Sequence, residues 1–144
     1  VMHNTGERHI SQLGGLAGQT PAIAAIFTIG GLGAMGVPTT SGFIAEFTVF
    51  LGAFSSDTVA GVHIYTIICL LGILLAAAYV LWLLQRVFFG PVLERFNQVM
   101  DADSLEKAYC AVFIAAIFLI GLYPMILTDV IKTGVLPIAT LFGG

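Results

Sequence analysis

Two long runs without a formal charge constrain this chain more than any other feature. Residues 58–85 form 28 consecutive positions without Asp, Glu, Lys or Arg, and residues 108–128 form another 21. A helix that crosses the hydrocarbon core of a bilayer needs about 20 predominantly apolar residues. Only 9% of the 144 residues are charged, against roughly 25% in soluble domains. The sequence therefore predicts an all-α integral membrane protein that is in contact with the lipid bilayer.

Turn and capping residues divide the chain into a loop and a helix bundle. Residues 1–20 are polar and contain glycine, and they predict an interfacial loop. Residues 21–144 predict a bundle of about four membrane helices. Thr20 and Pro21 suit the start of the first helix, and Pro38 separates the first two helices, which are short and interrupted by Gly and Pro. The predicted spans are residues 21–37, 41–55, 62–89 and 105–131.

The fourth helix has a well-marked start and an internal proline. Asp103 or Ser104 is predicted to cap it, because short polar side chains accept hydrogen bonds from the first free N–H groups. Pro124 is expected to kink this helix and leave it running to about Ile131. The following residues, 134–144, are apolar but form only a short tail.

Helix length determines the predicted membrane topology. As one straight helix, residues 21–55 would extend about 52 Å, well beyond a hydrocarbon core of ~30 Å. The sequence therefore predicts two separate passes here, and four passes place the opening loop and the 91–106 connector on opposite faces. Cationic residues concentrate on cytoplasmic faces. Three of them flank the connector and two flank the other face, which favours a cytoplasmic connector; they are Arg86, Arg95 and Lys107 against Arg8 and Lys132.

Glu46 is the candidate site residue. It is the only formally charged residue between His9 and Asp57. A carboxylate among hydrocarbon side chains is costly, so it must be neutralised, find a partner or border water. Burial favours the neutral acid, which can bind and release protons. The sequence predicts that Glu46 is an intramembrane proton relay; the alternative is a static ion pair that only fixes helix packing.

Three further side chains are candidates for an accessory proton path. Tyr65 and Tyr79 of the third helix could donate hydrogen bonds, although tyrosines of membrane helices commonly serve packing or the interface. His63 begins the same helix and titrates near neutral pH when unperturbed. A histidine at the end of a span is also common as an interfacial residue, so both interpretations stay open for all three.

The remaining patterns predict no redox, metal or nucleic-acid chemistry. Gly31-Leu-Gly33-Ala-Met-Gly36 matches G-x-G-x-x-G, with Asp57 about 20 positions on, but the dinucleotide fingerprint requires a βαβ unit. These glycines are instead expected to serve helix packing. Cys69 and Cys110 are 41 residues apart and are predicted to be buried, unreactive thiols. No metal-ligand spacing, covalent catalyst or basic patch is present in the sequence.

The segment around Glu46 resembles a signature of respiratory complex I. It reads Gly33-Ala-Met-Gly-Val-Pro-Thr-Thr-Ser-Gly-Phe-Ile-Ala-Glu46-Phe-Thr-Val-Phe-Leu-Gly-Ala-Phe54 and resembles L-P-G-x-S-G-F-x-G-E-F of the M-type antiporter-like subunit, or chain 4, of NADH:quinone oxidoreductase. Two flanking stretches resemble the preceding loop and the following helix of that subunit. They are Gly6-Glu-Arg-His-Ile-Ser-Gln-Leu-Gly-Gly15 and Ala78-Tyr-Val-Leu-Trp-Leu-Leu-Gln-Arg86-Val-Phe-Phe-Gly-Pro91. The chain departs from the pattern at Thr39-Thr40, where Pro-Gly is usual, so the loop at the break is expected to differ in shape.

The resemblance implies a proton-pumping membrane-arm subunit with a larger fourteen-helix antiporter-like fold, of which this chain would be the C-terminal part. It implies that Glu46 is the central protonatable residue of a broken helix, and that a lysine is common there in sister subunits. The implied partners are other membrane-arm subunits, with no cofactor and no direct NADH or quinone site in this chain. The implied location is a bacterial inner membrane, with thylakoid or organellar membranes as alternatives.

Two other functions remain open from the sequence. A subunit of a multisubunit cation/proton antiporter or of a membrane-bound hydrogenase belongs to the same superfamily and is the nearest alternative. A purely structural membrane module, with Glu46 locked in an ion pair, is an alternative of another class.

Overall fold

The computed structural model describes residues 5–56, 61–96 and 99–141, in which all regular secondary structure is helical. Asp57 and most of the loop before the third predicted span lie outside the described residues. Five α-helices are present in the described part: Pro21–Ala34 (α1), Ser41–Phe54 (α2), Val62–Val87 (α3), Ser104–Leu122 (α4) and Met125–Leu141 (α5). By length and composition α3 and α4 could each cross a membrane, while α1 and α2 are shorter apolar helices. The predicted all-α membrane fold is confirmed.

Helices α1 and α2 lie end to end along α3 and run antiparallel to it. Near the start of α1, the Phe27 ring lies 5.2 Å from that of Phe88, just past the end of α3. At the end of α2, the Phe54 ring lies 4.9 Å from that of His63, at the start of α3. His63 and Phe88 are about 37 Å apart along a helix of 1.5 Å per residue. Two short helices can bridge that distance only if α2 continues in the direction of α1.

The opening loop therefore lies on the same face as the connector after α3. The backbone N–H of Ala17 donates a 3.0 Å hydrogen bond to the carbonyl of Phe88, and Gly15 packs directly on the backbone of Val92. The prediction of two separate passes, with the loop and the connector on opposite faces, is wrong. The length argument assumed a helix confined to the hydrocarbon core, whereas the first turn of α1 projects past the end of α3.

This face also carries the buried core of the described residues. Phe88 and Leu16 are each only 1% exposed, and they join the opening loop, α1 and the end of α3 into one apolar cluster. The members of the cluster are Leu13, Leu16, Ala24, Val80, Leu84, Val87, Phe88 and Phe96. Four of the five Lys and Arg residues now belong to the same face, namely Arg8, Arg86, Arg95 and Lys107. The charge asymmetry then predicts more strongly that this face is cytoplasmic.

The fourth predicted helix is two helices, which is a second correction. Helix α4 ends at Leu122, Tyr123 adopts φ −129° and ψ 66°, and α5 begins at Met125. Pro124 excludes its predecessor from the helical conformation and supplies no N–H, so it ends the helix here and does not merely kink it. The apolar residues predicted as a tail are helical as far as Leu141. At the other end, Asp103, one of the two predicted caps, is the N-cap, and it forms a capping box with Glu106.

Candidate functional site

The break between α1 and α2 is a six-residue connection that begins with a glycine-capped helix end. Gly36 has φ +64°, its N–H donates to the carbonyl of Gly33, and the N–H of Val37 donates to that of Leu32. These two bonds form a Schellman motif, in which a left-handed residue directly after the helix satisfies its last carbonyls. The chain then turns, so that Gly42 of α2 packs against the carbonyl of Gly33. The first turn of α2 thus lies beside the last turn of α1.

Thr39 gives the connection a strained conformation. Its φ is +84°, a region that favours glycine and is unusual for a β-branched residue. Thr39 stands where the resembling pattern has a glycine. The expected difference in the loop is therefore one strained residue, Thr39. The next residue, Thr40, donates its hydroxyl to the carbonyl of Val37 at 2.7 Å. Thr40 is the N-cap of α2 by position, but its side chain caps the loop and not the helix.

Helices α3 and α4 hold the break in place through glycines. A β-carbon at Gly31 would lie 3.1 Å from Cγ1 of Val80 on α3, and Gly121 of α4 lies directly against the backbone of Thr39 and Thr40. The absence of side chains lets the backbones approach closely. The prediction that the G-x-G-x-x-G glycines serve packing is confirmed for Gly31, and no nucleotide site is needed to explain the motif.

Glu46 lies in the second turn of α2 and is partly buried. Its carboxyl group is seated on the Cα of Gly36: a β-carbon there would overlap Oε2 and lie 3.0 Å from Cδ. The side chain is therefore directed back along α2 to the end of α1, as helical side chains usually are. Helix ends of opposite polarity meet at this position, the C-terminal carbonyls of α1 and the N-terminal N–H groups of α2. In transporters, such discontinuous helices bind ions and protons at the break.

The static ion pair that was the alternative for Glu46 is not formed within the described part of the chain. Over residues 5–56, 61–96 and 99–141, the one ion pair within 4.0 Å joins Lys107 to Asp101. Among the same residues Glu46 makes no hydrogen bond, and its carboxyl group lies against Gly36. The alternative of a static ion pair therefore has no partner for Glu46 in the described residues.

The structure does not bring the accessory candidates to Glu46. Tyr65 and Tyr79 are 62% and 63% exposed. His63 contacts Phe54, eight residues after Glu46 and hence about 12 Å further along α2. None of the three is hydrogen-bonded to Glu46 among the described residues. Their role in a proton path stays a prediction.

Asp101 is a structural residue that the sequence did not single out. Its two carboxylate oxygens accept hydrogen bonds from the N–H groups of Ala22 at 3.0 Å and Ile23 at 3.1 Å. Asp101 thereby caps α1 although it lies 79 positions later in the chain than Ala22. Thr20, the predicted cap, instead donates its hydroxyl to the carbonyl of Leu16. Burial acts to raise the pKa of Asp101, but these N–H groups, that of Ala102 and the charge of Lys107 together hold the pKa below its ordinary value.

The cysteines give no sign of a metal or redox site. Cys69 is exposed on α3 and not buried as predicted, and Cys110 is partly exposed. Within the described residues no three His, Cys, Asp or Glu side chains come together as a metal site would require.

Comparison with known proteins identifies the family of the chain. The model of the family described as NADH:quinone oxidoreductase/Mrp antiporter, transmembrane, matches residues 1–72. These residues include α1, the break, Glu46 and the start of α3. The chain belongs to this family.

Individual members of the NADH:quinone oxidoreductase/Mrp antiporter family match beyond residue 72. Subunit M of NADH-quinone oxidoreductase from Rhodobacter capsulatus is 38% identical over 129 residues, which cover 89% of this chain and 24% of the relative. F(420)H(2) dehydrogenase subunit M from Methanosarcina mazei is 32% identical over 139 residues, 96% of this chain and 27% of the relative. NAD(P)H-quinone oxidoreductase chain 4 from a Synechococcus strain is 38% identical over 125 residues, 83% and 24% of the two chains.

These matches confirm the resemblance to the M-type subunit, since the relatives are named subunit M or chain 4. The chain spans about a quarter of the length of these relatives. Membership of a transmembrane family, together with the apolar helices, establishes that this is an integral membrane protein.

Proposed function

We propose that this chain is part of the proton-translocating M-type membrane subunit of an NADH:quinone oxidoreductase, with Glu46 as an intramembrane proton relay. The observation that carries the proposal is the position of the Glu46 carboxyl group at the break between α1 and α2, seated on Gly36 and without a cation partner in the described residues. The family membership supports a role in a membrane complex, and the geometry supports the role of this residue in it.

The proposed step is a reversible protonation. The carboxylate of Glu46 binds one proton that arrives through water or a neighbouring protonatable group, and the neutral acid later releases that proton towards the other side. The break matters because six residues between the two helices leave backbone groups that can hydrate or reorient, which a continuous helix does not offer. Electron transfer from NADH to quinone takes place in other subunits, so this chain contributes proton movement and no redox cofactor.

The relatives favour a specific second candidate, which differs in the electron donor and not in the proton step. The Methanosarcina mazei relative is named as a subunit of an F(420)H(2) dehydrogenase and matches 96% of this chain. A complex that accepts electrons from another reduced carrier would use the same Glu46 chemistry. Supplying NADH and a deazaflavin donor separately to the purified complex, and measuring quinone reduction, distinguishes the two assemblies.

The test of the relay is Glu46→Gln in the full-length subunit within its assembled complex. Glutamine keeps the size and the hydrogen-bonding capacity of the side chain but cannot exchange a proton. Proton uptake into vesicles that contain the complex is expected to fall at least about 100-fold for this route, the lower range of what a positioned proton-transfer group contributes. Glu94→Gln, at an exposed position of the connector, is the matched control and should leave proton uptake unchanged.

The same experiment separates a relay from a structural role. If the Glu46→Gln complex assembles normally and translocates protons like the parent, Glu46 only supports packing. If it assembles normally and loses translocation while Glu94→Gln does not, the relay is supported.

A further inference from the structure

Gly36 makes two separate demands that only glycine meets. The first is conformational, because its φ of +64° lies in the left-handed region, where a residue with a side chain is strained. The second is spatial, because a β-carbon would overlap Oε2 of Glu46 and lie 3.4 Å from Oε1. The first demand is common to helix ends, whereas the second concerns one functional side chain.

Another glycine of the chain shows the first demand without the second. Gly61 has φ +79°, and among the described residues the one atom near a β-carbon built there is a ring carbon of Tyr65 at 3.7 Å, an ordinary contact. An alanine at Gly61 would meet the backbone cost alone. Comparison of the two positions therefore isolates the contact between Gly36 and Glu46 from the strain of the helix end.

We propose that Gly36 is a positioning residue for the Glu46 carboxyl group: its missing side chain lets the carboxyl group rest at the end of α1. The inference rests on the proposed function of Glu46. Rotation of the Glu46 side chain away from Gly36 would carry the carboxyl group from the break, where the ends of the two helices meet, towards the apolar outer surface of α2. That surface carries Phe47, Val49 and Leu51, each more than half exposed.

The neighbouring elements offer no substitute for this seat within the described residues. Helix α1 contains no titratable side chain, and the titratable groups of α4 lie near its start or, for Tyr123, just past its end and 61% exposed. The titratable or charged groups of α3 are Tyr79, which is 63% exposed, Arg86, which is exposed in the last turn, and Cys69, Tyr65 and His63 towards the other end. The position of the Glu46 carboxyl group is therefore set by the backbone at Gly36 and not by a charged partner.

The experiment uses four variants of the full-length subunit in its assembled complex: Gly36→Ala, Gly61→Ala, Glu46→Asp, and Gly36→Ala combined with Glu46→Asp. A displacement of about 1 Å can cost 100-fold in a proton-transfer step, so Gly36→Ala is expected to lower proton translocation by up to about that factor. Gly61→Ala should change it by less than about twofold, because its cost is conformational strain alone. Aspartate is one methylene shorter and leaves room for the new methyl group, so the double variant should translocate faster than Gly36→Ala alone.

A spectroscopic signal tests the position of the Glu46 carboxyl group separately from proton translocation. The carbonyl stretch of protonated Glu46 in the infrared difference spectrum, assigned by its loss in Glu46→Gln, should shift in Gly36→Ala and stay in place in Gly61→Ala. A shift with unchanged translocation would support the positioning role and contradict the proposed function. An unmoved band, or a loss of activity in Gly36→Ala that Glu46→Asp does not relieve, would overturn the positioning role.

Discussion

Asp101 caps the N-terminus of a helix that begins 80 positions before it, through the N–H of Ala22 at 3.0 Å and of its neighbour Ile23. The two hydrogen bonds connect the loop before α4 to the start of α1. They join an early and a late part of the chain on the face that also holds the opening loop. The stability of that face can therefore be tested through one side chain.

Asp101→Ala is expected to lower the free energy of unfolding by about 1–2 kcal/mol, because two N–H groups of α1 lose their acceptor. The measurement is thermal or denaturant unfolding of the purified full-length protein in detergent. Glu94→Ala, an exposed acid of the same connector, is the control and should stay within about 0.5 kcal/mol of the parent. Equal effects of the two substitutions would contradict the capping role.

The same cap predicts a pH dependence of stability. The folded state holds the pKa of Asp101 below its ordinary value of 3.8, so the folded protein binds the proton less readily than the unfolded chain. The contribution to stability is fully present above pH 3.8 and is lost as the pH falls below 3.8 towards the folded-state pKa. Unfolding of the parent and of Asp101→Asn between pH 3 and 6 should show a difference that shrinks at the acidic end. A constant difference would exclude the linkage.

Thr39→Gly is expected to stabilise the protein by about 1 kcal/mol. Glycine relieves the strain of a β-branched residue at φ +84°, which costs about 1–2 kcal/mol, and loses part of that gain to the entropy of the unfolded chain. Thr39→Ala removes the hydroxyl and keeps a β-carbon, so it should recover little of the strain. A stabilisation by alanine as large as that by glycine would show that backbone strain is not the cause.

Gly121→Ala should destabilise the protein by about 3 kcal/mol or block assembly, because a β-carbon would overlap the carbonyl group of Thr39. Gly72 of α3 provides the matched control, since a β-carbon there meets nothing within 4 Å. Gly72→Ala should be neutral or raise stability by up to about 1 kcal/mol, as expected for a helix interior. The amount of assembled complex and its melting temperature measure both variants.

The topology with two separate passes for residues 21–55 and the topology in which α1 and α2 form one pass differ in which residues share a side of the membrane. With Cys69 and Cys110 replaced by alanine, single cysteines at His9, His63 and Glu94 can be tested with a membrane-impermeant maleimide in oriented vesicles. The structure predicts that His9→Cys and Glu94→Cys react from the cytoplasmic side and His63→Cys from the other side. Reaction of His9→Cys and His63→Cys from one side would restore the topology of two separate passes.

Local patterns predicted the elements, and long-range contacts decided their arrangement. The capping role of Asp103, the helix start at Pro21 and the isolation of Glu46 depend on neighbours a few positions away, and all three could be inferred from the sequence. The role of Asp101 depends on a partner 79 positions away, and no spacing in the connector distinguishes it from the other acids there. The direction of α2 relative to α1 depends on how Gly33, Gly42 and Gly121 let backbones meet, which no hydrophobic pattern encodes.

The seat of Glu46 could be predicted only in part. Its place beside the interruption follows from Pro38 and the short helices, but the contact with Gly36 requires the turn at residues 35–40 to bring the chain back beside α1. The effect of Pro124 could not be decided from the sequence, because a proline in an apolar run permits either a kink or a helix end. The conformation of Tyr123 decided between them.

The apolar cluster around Leu16 and Phe88 has a bearing on hydration. It fills the space between the opening loop and the start of α1 with apolar side chains, and two of its members are almost wholly enclosed. A file of water descending along α1 from that face would have to pass through this plug. If Glu46 acts as the proposed relay, protons that reach it from that face would have to enter beside α1 and not through this cluster.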